Sequence, residues 1–335
     1  MSEEKKEIKK RKLKKFLIVI SSIVVTLTLF WIIVGLIEPY QVTEVNPWRS
    51  ERTLVSAHRG GANLNPENTR MAFDYVIKDT PYTDVVEIDV RLTKDNELVI
   101  IHDASINRTG LDYETEEILI RESSYSDLTK YNLGINFEKN GTKPYSDTSK
   151  LTDDKRNGLT IMKLSEFFDE YMEVREFKLL LEIKDTKEDA ILAVDKAEEL
   201  LAMEKYSWWD SRTMIISFST DAVNHVIKNY PNRYVAGMGY NMVPFLIGSV
   251  LGLDSLFKIE YQSVQTSMIT KAGPISIDCA TKAFVRSAHR RNQCVAYWTI
   301  NERSDMEHLI SIGADIITTN SPDLLANVLG INWLT

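Results

Sequence analysis

Two histidines and two carboxylates stand close together between Val55 and Gly110 and could carry acid–base and metal chemistry. His58 and His102 each follow an apolar, strand-like run. Glu87 and Asp89 lie between them at a spacing of two, which places both side chains on one face of a β-strand. Two imidazoles can serve as base and acid, and paired carboxylates can hold a divalent cation. The combination suits cleavage of a phosphate ester.

A hairpin is expected to bring part of this set together. The polar segment from Thr93 to Glu97 separates two apolar runs, Val85 to Leu92 and Leu98 to His102. If the chain folds back there as an antiparallel pair, Asp89 lies roughly opposite His102, within reach across the two strands. A single strand of this kind would more often carry its acids on a solvent face, but the second histidine and the arginine beside the first favour a site.

The run from Leu179 to Lys184 adds another acid and a lysine. Glu182 and Lys184 share one side of this strand, and a barrel strand normally keeps its inward side apolar. The pair therefore indicates a third metal ligand and a phosphate-binding cation. Taken without the rest of the chain, the segment would more simply be a solvent-exposed Glu–Lys pair.

Short motifs follow one another in order through the first stretch, over about fifty residues. They resemble the motifs of the glycerophosphodiester phosphodiesterase family, and five in order are a far more specific signal than one pattern match. The motifs are His58-Arg59-Gly60, Pro66-Glu67-Asn68-Thr69, Glu87-Ile88-Asp89-Val90, Leu92-Thr93-Lys94-Asp95 and His102-Asp103, the last followed by Asn107-Arg108-Thr109-Gly110.

The resemblance implies a metal-dependent hydrolase that converts glycerophosphodiesters to glycerol 3-phosphate and an alcohol. It implies that the substrate's own glycerol hydroxyl attacks first, giving a cyclic phosphate that water then opens. One divalent cation, Ca²⁺ or Mg²⁺, is the expected cofactor. The implied roles are acid–base catalysis by His58 and His102, metal binding by Glu87, Asp89 and Glu182, and neutralisation of the phosphate by Arg59 and Lys184.

Later motifs extend the resemblance toward the carboxyl end of the chain. They are Tyr297-Trp298-Thr299-Ile300-Asn301 and the run from Gly313 to Pro322. Trp298 is implied to form an apolar wall beside the alcohol part of the substrate, although a buried core tryptophan would explain this residue equally well. The family commonly carries Asp where this chain has Asn320, so a charge at that rim is absent while hydrogen bonding is kept.

Strand-like and helix-like segments alternate over about 280 residues, which predicts an α/β fold, a (β/α)8 TIM barrel. Nine strand candidates are one more than a barrel needs, so either Leu98 to His102 or Ile275 to Asp278 is expected to be a rim element. The site candidates fall near the carboxyl ends of the strands, where barrels gather catalytic groups. The other candidates are Leu54 to Ala57, Val85 to Leu92, Leu179 to Lys184, Met214 to Phe218, Tyr234 to Met238, Val295 to Ile300 and Asp315 to Thr318.

The amino-terminal segment predicts a membrane anchor. Residues 1–15 carry eight Lys or Arg and three Glu, and residues 16–37 form an uncharged run of 22 residues. Such a run spans a hydrocarbon core as a helix, and the basic flank predicts a cytoplasmic amino terminus, a single-pass protein and a catalytic domain outside the cell membrane. A cleaved signal peptide would have a shorter apolar region and a small-residue cleavage site. Residues 38–52 are expected to be a linker and 53–330 the phosphodiesterase domain.

Two further segments are expected to lie near the substrate. Residues 111–159 form a polar insertion after the second histidine motif, interpreted as a substrate-facing cap rather than a decorative excursion. The segment from Val243 to Leu253 is apolar but too short to span a bilayer. It is either a buried helix or a surface segment that touches lipid near the mouth of the active site, where it would meet a lipid-derived substrate.

Charge and cysteine content narrow the class of protein. Without its first 15 residues the chain has 32 basic and 45 acidic residues, a net charge of −13, which argues against nucleic acid as a partner. Cys279 and Cys294 lack metal-ligand spacing and are expected to be two buried free thiols rather than a disulfide. The oligomeric state has no signature in the sequence.

Two rival functions fit the same residues. The first is a related enzyme, either a lysophospholipase D or a hydrolase of a glycerophosphate-based wall polymer. The second belongs to another class, a catalytically silent barrel that binds or regulates a partner through its insertion and apolar loop. The presence of both histidines and all three carboxylates argues against the silent barrel.

Overall fold

The computed structural model describes residues 3–111, 116–273 and 275–331. Its strands are short, and those outside the exposed 269–278 hairpin are buried and rich in branched side chains, as expected where a parallel sheet is covered on both faces. In chain order they are β1 (Leu54–Ala57), β2 (Val85–Leu92), β3 (Leu98–Ile100), β4 (Lys178–Ile183), β5 (Thr213–Ile216), β6 (Tyr234–Gly237), β7 (Ser263–Thr266), β8 (Ile269–Ala272), β9 (Ile275–Asp278), β10 (Cys294–Tyr297) and β11 (Ile316–Thr319).

Eight of these strands form the predicted closed parallel barrel. The spatial order is β1, β11, β10, β7, β6, β5, β4 and β2, and β1 also pairs with β2, which closes the ring. Both rim candidates lie outside it: β3 runs antiparallel to β2, and β9 pairs only with β8 as a two-stranded hairpin. The sequence patterns did not predict β7, because its polar Ser263 and Gln265 are buried in the barrel.

Helices follow most of the barrel strands and begin at residues that cap them. Thr69, Ser219 and Thr281 each accept a hydrogen bond from the first helical turn. The helices are α1 (Glu3–Leu36), α2 (Arg70–Phe73), α3 (Asn107–Gly110), α4 (Tyr125–Leu128), α5 (Asp153–Gly158), α6 (Leu164–Tyr171), α7 (Lys187–Leu201), α8 (Thr220–Asn229), α9 (Val243–Leu251), α10 (Lys282–His289), α11 (Arg303–Ile312) and α12 (Pro322–Val328), with a π-helical turn over Asp74–Asp79.

The interior of the barrel changes from apolar at its floor to charged at its mouth. Leu180 packs with Val85 and Met214 in the lower layer, whereas Glu182, two residues further along β4, lines the cavity at the carboxyl end. The fully buried Trp48 closes the floor below this layer. A single alternating strand therefore supplies both a packing residue and a site residue.

The segment interpreted as a polar linker, residues 38–52, is packed against the floor of the barrel. Asn46 Nδ2 donates hydrogen bonds of 2.8 Å to the backbone oxygens of Gln262 and Asn292. Lys178 Nζ donates to the backbone oxygen of Pro47. Gln262 and Asn292 lie just before β7 and β10, and Lys178 is the first residue of β4. The linker therefore covers the amino ends of these strands.

Helix α1 is continuous through the basic flank and the apolar run, which the sequence analysis treats as two segments. The portion Lys6–Leu36 is long and apolar enough to cross a membrane. Its described side chains up to Ile33 are exposed, and Val34 is buried against the barrel. Within the described part of the chain, this is the one helix that meets that criterion.

The insertion is a packed substructure with its own small apolar cluster. Ile106, Ile120, Leu128 and Leu133 pack with Val99 of β3. Residues 112–115 of the predicted insertion lie outside the described residues. The two cysteines are buried free thiols, as predicted.

Candidate active site

Three carboxylates from neighbouring strands meet at the mouth of the barrel. Glu87 and Asp89 lie on β2, Glu182 lies on β4, and the parallel register sets Asp89 directly beside Glu182. One oxygen from each carboxylate lies within 4.8 Å of the others, and all three residues are buried. The structure thus brings together the three residues that the sequence nominates as metal ligands.

The chemistry of this carboxylate cluster fits a divalent cation. Glu87 Oε1 and Asp89 Oδ1 are buried, and among the described residues they have no hydrogen-bond partner. Buried polar atoms normally have partners, so these two oxygens are suited to a ligand. An all-oxygen set matches the preference of Ca²⁺ and Mg²⁺.

Burial and mutual repulsion shift the pKa values in the carboxylate cluster. Burial, followed by the charges of Asp89 and Glu182, raises the pKa of Glu87 well above its ordinary value. Burial and Asp89 likewise raise the pKa of Glu182. For Asp89 burial acts in the same direction, but the charges of Arg59 and Lys184 outweigh it and lower its pKa.

The turn after β1 aims Arg59 at the carboxylates. Its backbone N–H donates to Glu87 Oε2 over 2.8 Å, and its Nε lies 3.2 Å from Asp89 Oδ2. Arg59 adopts φ 53°, a left-handed conformation that costs free energy in a residue with a Cβ and is concentrated at functional sites. Gly60 follows at φ 78°, where a Cβ would stand 2.8 Å from Ala72.

Residues of the second motif, Glu67 and Asn68, form hydrogen bonds to the charged residues of the site. Asn68 Nδ2 donates a 2.8 Å hydrogen bond to Asp89 Oδ2. Glu67 accepts from both Arg59 and Arg108, at 2.9 and 2.6 Å. The sequence contains these residues within recognised motifs, but spacing alone assigned them no role, because Asp89 is 21 positions from Asn68 and Arg108 is 41 positions from Glu67.

Lys184 contributes a cation beside the carboxylates. Its Nζ lies 2.7 Å from Glu182 Oε1 and 3.6 Å from Asp89 Oδ1. The ammonium also lies 5.8 Å from the centre of the Phe218 ring. Because its side chain is largely buried, the predicted Glu–Lys pair is part of the cavity and is not a solvent-exposed surface pair.

His58 is fixed by the residue at which the chain departs from the family pattern. Its Nδ1 lies 2.6 Å from Oδ1 of Asn320, so Nδ1 carries the hydrogen and the lone pair of the neutral ring is on Nε2. Asn320 is positioned in turn by its backbone N–H, which donates to Asn301 Oδ1. Burial, followed by the Arg59 charge, lowers the pKa of His58 to about 4.

His102 is fixed by a carboxylate instead. Its Nδ1 lies 2.6 Å from Asp103 Oδ1, and Arg108 pairs with the same carboxylate. Burial would raise the pKa of Asp103, but the hydrogen bonds from His102 and Arg108 lower it.

The hairpin register is one residue from the predicted one. Ile101, not His102, is paired with Asp89, because its backbone N–H donates to Asp89 O over 2.9 Å. Since β3 ends at Ile100, strand alternation does not dictate the direction of the His102 side chain. Arg91 Nε holds the His102 backbone oxygen at 2.8 Å. Both histidines line the cavity that contains Glu87 and Glu182.

An apolar wall faces the charged side of the cavity. Trp298 lines it as predicted, and Phe218 packs edge-on against Trp298 with ring centres 5.6 Å apart. Phe218 and Gln265 also line the cavity, although no sequence motif identified them as site residues, and Gln265 lies on the unpredicted β7. The alternation of Ile216 and Phe218 at the end of β5 was a signal that could have identified Phe218.

The insertion borders a neighbouring cleft. Among the described residues, those lining the catalytic cavity come from the barrel strands and the turns that follow them. Asn136, Phe137 and Lys139 of the insertion instead line a cleft with Glu67 and Arg108. The substrate-facing cap stays a prediction, and the described part of the insertion lies beside the site residues Glu67 and Arg108.

Comparisons with known proteins agree with this fold. Residues 58–324 match the model of the glycerophosphoryl diester phosphodiesterase family. A glycerophosphodiester phosphodiesterase of Caldanaerobacter subterraneus subsp. tengcongensis is 28% identical over 280 residues, covering 83% of this chain and 98% of the relative. The enzyme of the same name from Bacillus subtilis is 24% identical over 313 residues, covering 90% and 97%.

Solved structures share the fold. A putative glycerophosphoryl diester phosphodiesterase from Silicibacter pomeroyi gives a TM-score of 0.64 at 18% identity, covering 85% of this chain and 97% of its own. A phosphodiesterase from Oleispira antarctica, solved with the product sn-glycerol-3-phosphate, gives 0.63 at 19% identity and covers 83% and 97%. The family match spans most of the chain, and the chain therefore belongs to the glycerophosphoryl diester phosphodiesterase family and is an enzyme of that class.

Proposed function

We propose that this protein hydrolyses glycerophosphodiesters to glycerol 3-phosphate and an alcohol with the help of one divalent cation. The observation that carries the proposal is the meeting of both histidines and three buried carboxylates around one cavity. Arg59 and Lys184 border the same cavity and supply positive charge for a phosphate.

Glu87, Asp89 and Glu182 would hold the cation. When bound, it supplies positive charge that stabilises the phosphate oxygens as negative charge develops on them. Cation binding would also relieve the repulsion that raises the pKa of Glu87 and Glu182. Ca²⁺ and Mg²⁺ both suit the oxygen ligands, and the choice between them is a matter for metal titration.

The hydrogen-bond partners of the two histidines indicate which ring acts as base and which as acid in the first step. An amide oxygen, as in Asn320, leaves the imidazole of His58 neutral, which suits a base that accepts a proton from the attacking hydroxyl. A carboxylate, that of Asp103, holds the His102 ring through Nδ1, as is typical of a histidine that transfers protons, and we assign to His102 the proton given to the departing alcohol. The attacking oxygen forms a new bond to phosphorus, and the bond from phosphorus to the alcohol oxygen breaks.

Following the family resemblance, the substrate's glycerol hydroxyl attacks first and water opens the resulting cyclic phosphate. The two histidines exchange roles in the second step, which restores the starting protonation of both. Trp298 and Phe218 form an apolar surface for the alcohol part of the substrate.

The length and apolar composition of the amino-terminal helix support a location at a membrane. Lys6–Leu36 would span the cell membrane once, with the basic flank in the cytoplasm and the barrel outside. The substrate would then be met on the outer side of the membrane.

The decisive experiment measures products from a panel of phosphodiesters. Purified full-length protein would be incubated with glycerophosphocholine, lysophosphatidylcholine or a glycerophosphate polymer, each with Ca²⁺, Mg²⁺ or chelator. We expect glycerol 3-phosphate from glycerophosphocholine in the presence of metal and none with chelator. Absence of any cleavage with either metal would contradict the proposal.

Histidine variants separate the enzyme from a silent binding barrel. His58→Ala and His102→Ala should each lower kcat by about 10²- to 10⁴-fold. His308→Ala is the matched control, because this histidine lies on α11 and bonds to the backbone of Ala280. Tight metal binding without turnover in the unmodified protein would favour the binding barrel.

A further inference from the structure

The place where α1 joins the barrel defines which side of the enzyme faces the membrane. Ser255 Oγ donates a 2.9 Å hydrogen bond to the backbone oxygen of Val34, in the last turn of α1. The Trp31 ring lies against Gly252 at the end of α9. The carboxyl end of α1 is therefore seated beside the carboxyl end of α9.

Helix α9 presents apolar side chains at this junction. It contains no charged residue, and its Phe245 and Leu246 are buried against the barrel. On the other side Val250 and Leu251 are 60% and 51% exposed, and Leu256 in the following turn is 52% exposed. These three residues, which we call the lower apolar edge, adjoin the end of the candidate membrane span.

The residues around the junction of α1 and α9 include types that are common in the lipid headgroup region. Tyr40 follows the span, and Lys258 Nζ lies 5.3 Å from the centre of its ring. Gln41 Nε2 donates to the backbone oxygen of Arg290. The Lys258 ammonium is paired with Glu260, and the Arg290 guanidinium lies 3.8 Å from Asp254, so the junction carries charges of both signs. Aromatic and basic residues are enriched at membrane interfaces, where the lipid phosphates lie.

The catalytic mouth lies at the opposite end of the barrel. The segment after α1 covers the amino ends of the strands, where Lys178 bonds to Pro47. Glu182 stands four residues further along β4, roughly 13 Å higher at about 3.3 Å per residue. The floor of the barrel and the lower apolar edge thus share one side of the enzyme, and the carboxylates occupy the other.

We infer that the barrel rests on the outer bilayer surface through the lower apolar edge, with its floor toward the membrane and its catalytic mouth toward the aqueous phase. The occupant of this edge is the bilayer itself, because the edge continues the surface of the membrane span. The inference rests on the proposed anchor and narrows the proposed substrate. An outward mouth takes water-soluble glycerophosphodiesters or polymer segments, and a lipid of the host bilayer does not reach it. Of the two alternatives for the α9 segment, this orientation keeps the contact with lipid but sets it at the floor of the barrel, away from the mouth.

Lipid-phase quenching tests this orientation. Full-length protein carrying Val250→Cys or Leu256→Cys would be labelled with an environment-sensitive fluorophore and reconstituted in vesicles of phosphatidylcholine and phosphatidylglycerol with brominated acyl chains. Cys279 and Cys294 are buried, which directs the label to the new thiol. Tyr240→Cys is the matched control, since Tyr240 is 86% exposed just beyond the carboxyl end of β6.

We expect brominated chains to quench the labels at positions 250 and 256 and to leave the label at 240 unchanged. Quenching at 240 alone, or at none of the three, would overturn the orientation. Extraction of the protein by alkaline carbonate would overturn both the anchor and the orientation. Glycerophosphocholine turnover in the same vesicles reports on the proposed activity independently, so its loss would contradict that activity and not the orientation.

A second arm measures the substrate consequence. Lysophosphatidylcholine embedded in the enzyme's own vesicles should remain uncleaved while added glycerophosphocholine is hydrolysed. Cleavage of both at comparable rates would show that the mouth reaches the host bilayer and would overturn the inference.

Discussion

Nδ1 of His58 lies 2.6 Å from Oδ1 of Asn320, so a neutral amide holds the ring that carries the lowered pKa of about 4. A depressed pKa keeps this histidine neutral at any pH well above 4, and protonation on acidification removes its ability to accept a proton. For His58 as the proposed base, Asn in place of Asp at this rim would widen the pH range over which the ring can accept a proton.

Asn320→Asp should narrow that range. A carboxylate beside the ring stabilises the imidazolium form and raises the pKa of His58, so the acid limb of kcat/KM should move upward by about one pH unit or more. The pH–rate profile with glycerophosphocholine measures this shift. Asn327→Asp adds the same charge on the exposed surface of α12 and should leave the profile unchanged. An unmoved acid limb in both variants would argue against His58 as the base.

Asp103→Asn should lower kcat through the orientation of His102. Loss of the carboxylate removes the partner that fixes Nδ1–H of His102, and we expect a fall in kcat of about 10²-fold or more with a smaller change in KM. The chain offers a matched control, because His225 Nε2 and Asp195 Oδ1 form a His–Asp pair of the same 2.6 Å length outside the cavity. Asp195→Asn should keep kcat within a factor of two or so. Equal losses in both variants would indicate a structural effect.

Metal should stabilise the protein more as the pH rises. The raised pKa of Glu87 means that the metal-free folded state binds this proton more tightly than the unfolded state does. Stability of the metal-free protein is therefore greatest below the ordinary carboxyl pKa and falls as the pH rises through the raised value. A bound cation replaces the proton, so the increase in Tm caused by Ca²⁺ or Mg²⁺ should grow with pH.

Thermal unfolding with metal and with chelator tests this prediction. At a metal concentration of about 100 times Kd the stabilisation should be ~2.7 kcal/mol. Glu87→Gln should abolish most of it, whereas Glu176→Gln, at an 83% exposed side chain, should retain it. A metal-induced shift of full size in the Glu87 variant would exclude this cluster as the binding site.

Trp48→Ala should destabilise the barrel by removing the side chain that closes its floor. Removal of this fully buried ring leaves a cavity under the lower apolar layer and should cost about 3–5 kcal/mol in the free energy of unfolding. Urea denaturation measures the change, and Trp208→Ala, at a 40% exposed position, should cost less than about 1 kcal/mol. If the two variants unfold at the same urea concentration, Trp48 does not close the floor.

Much of this architecture could be predicted because local pattern determines it. The bounds of β1 and β2 match the predicted runs Leu54 to Ala57 and Val85 to Leu92, since β1 is mostly apolar, β2 has an apolar residue at every second position, and both are bounded by polar turns. Strand β7 was missed because the barrel buries its polar residues against partners distant in the chain. The one-residue register offset at Asp89 depends on the geometry of the turn, which the hydrophobic pattern does not encode.

Some residues of the candidate site could likewise be predicted from the sequence, and others could not. The residues bearing the proposed chemistry were nominated from types and spacing, and the structure places them around one cavity. Their supporting partners, such as Asn68 for Asp89 and Asn320 for His58, became apparent only with the fold, because each pairing joins segments separated in sequence. Phe218 was overlooked because an aromatic residue at a strand end is ordinarily a packing residue.

The docked segment between the span and β1 also determines where the chain can be shortened. A version cut at Arg52 would retain every residue of the site yet lose Trp48 and the Asn46 hydrogen bonds that cover the lower end of the strands. Such a fragment should expose the apolar residues at the floor of the barrel and aggregate. A fragment that begins at Gln41 would keep the segment that covers the floor and should remain monodisperse without detergent.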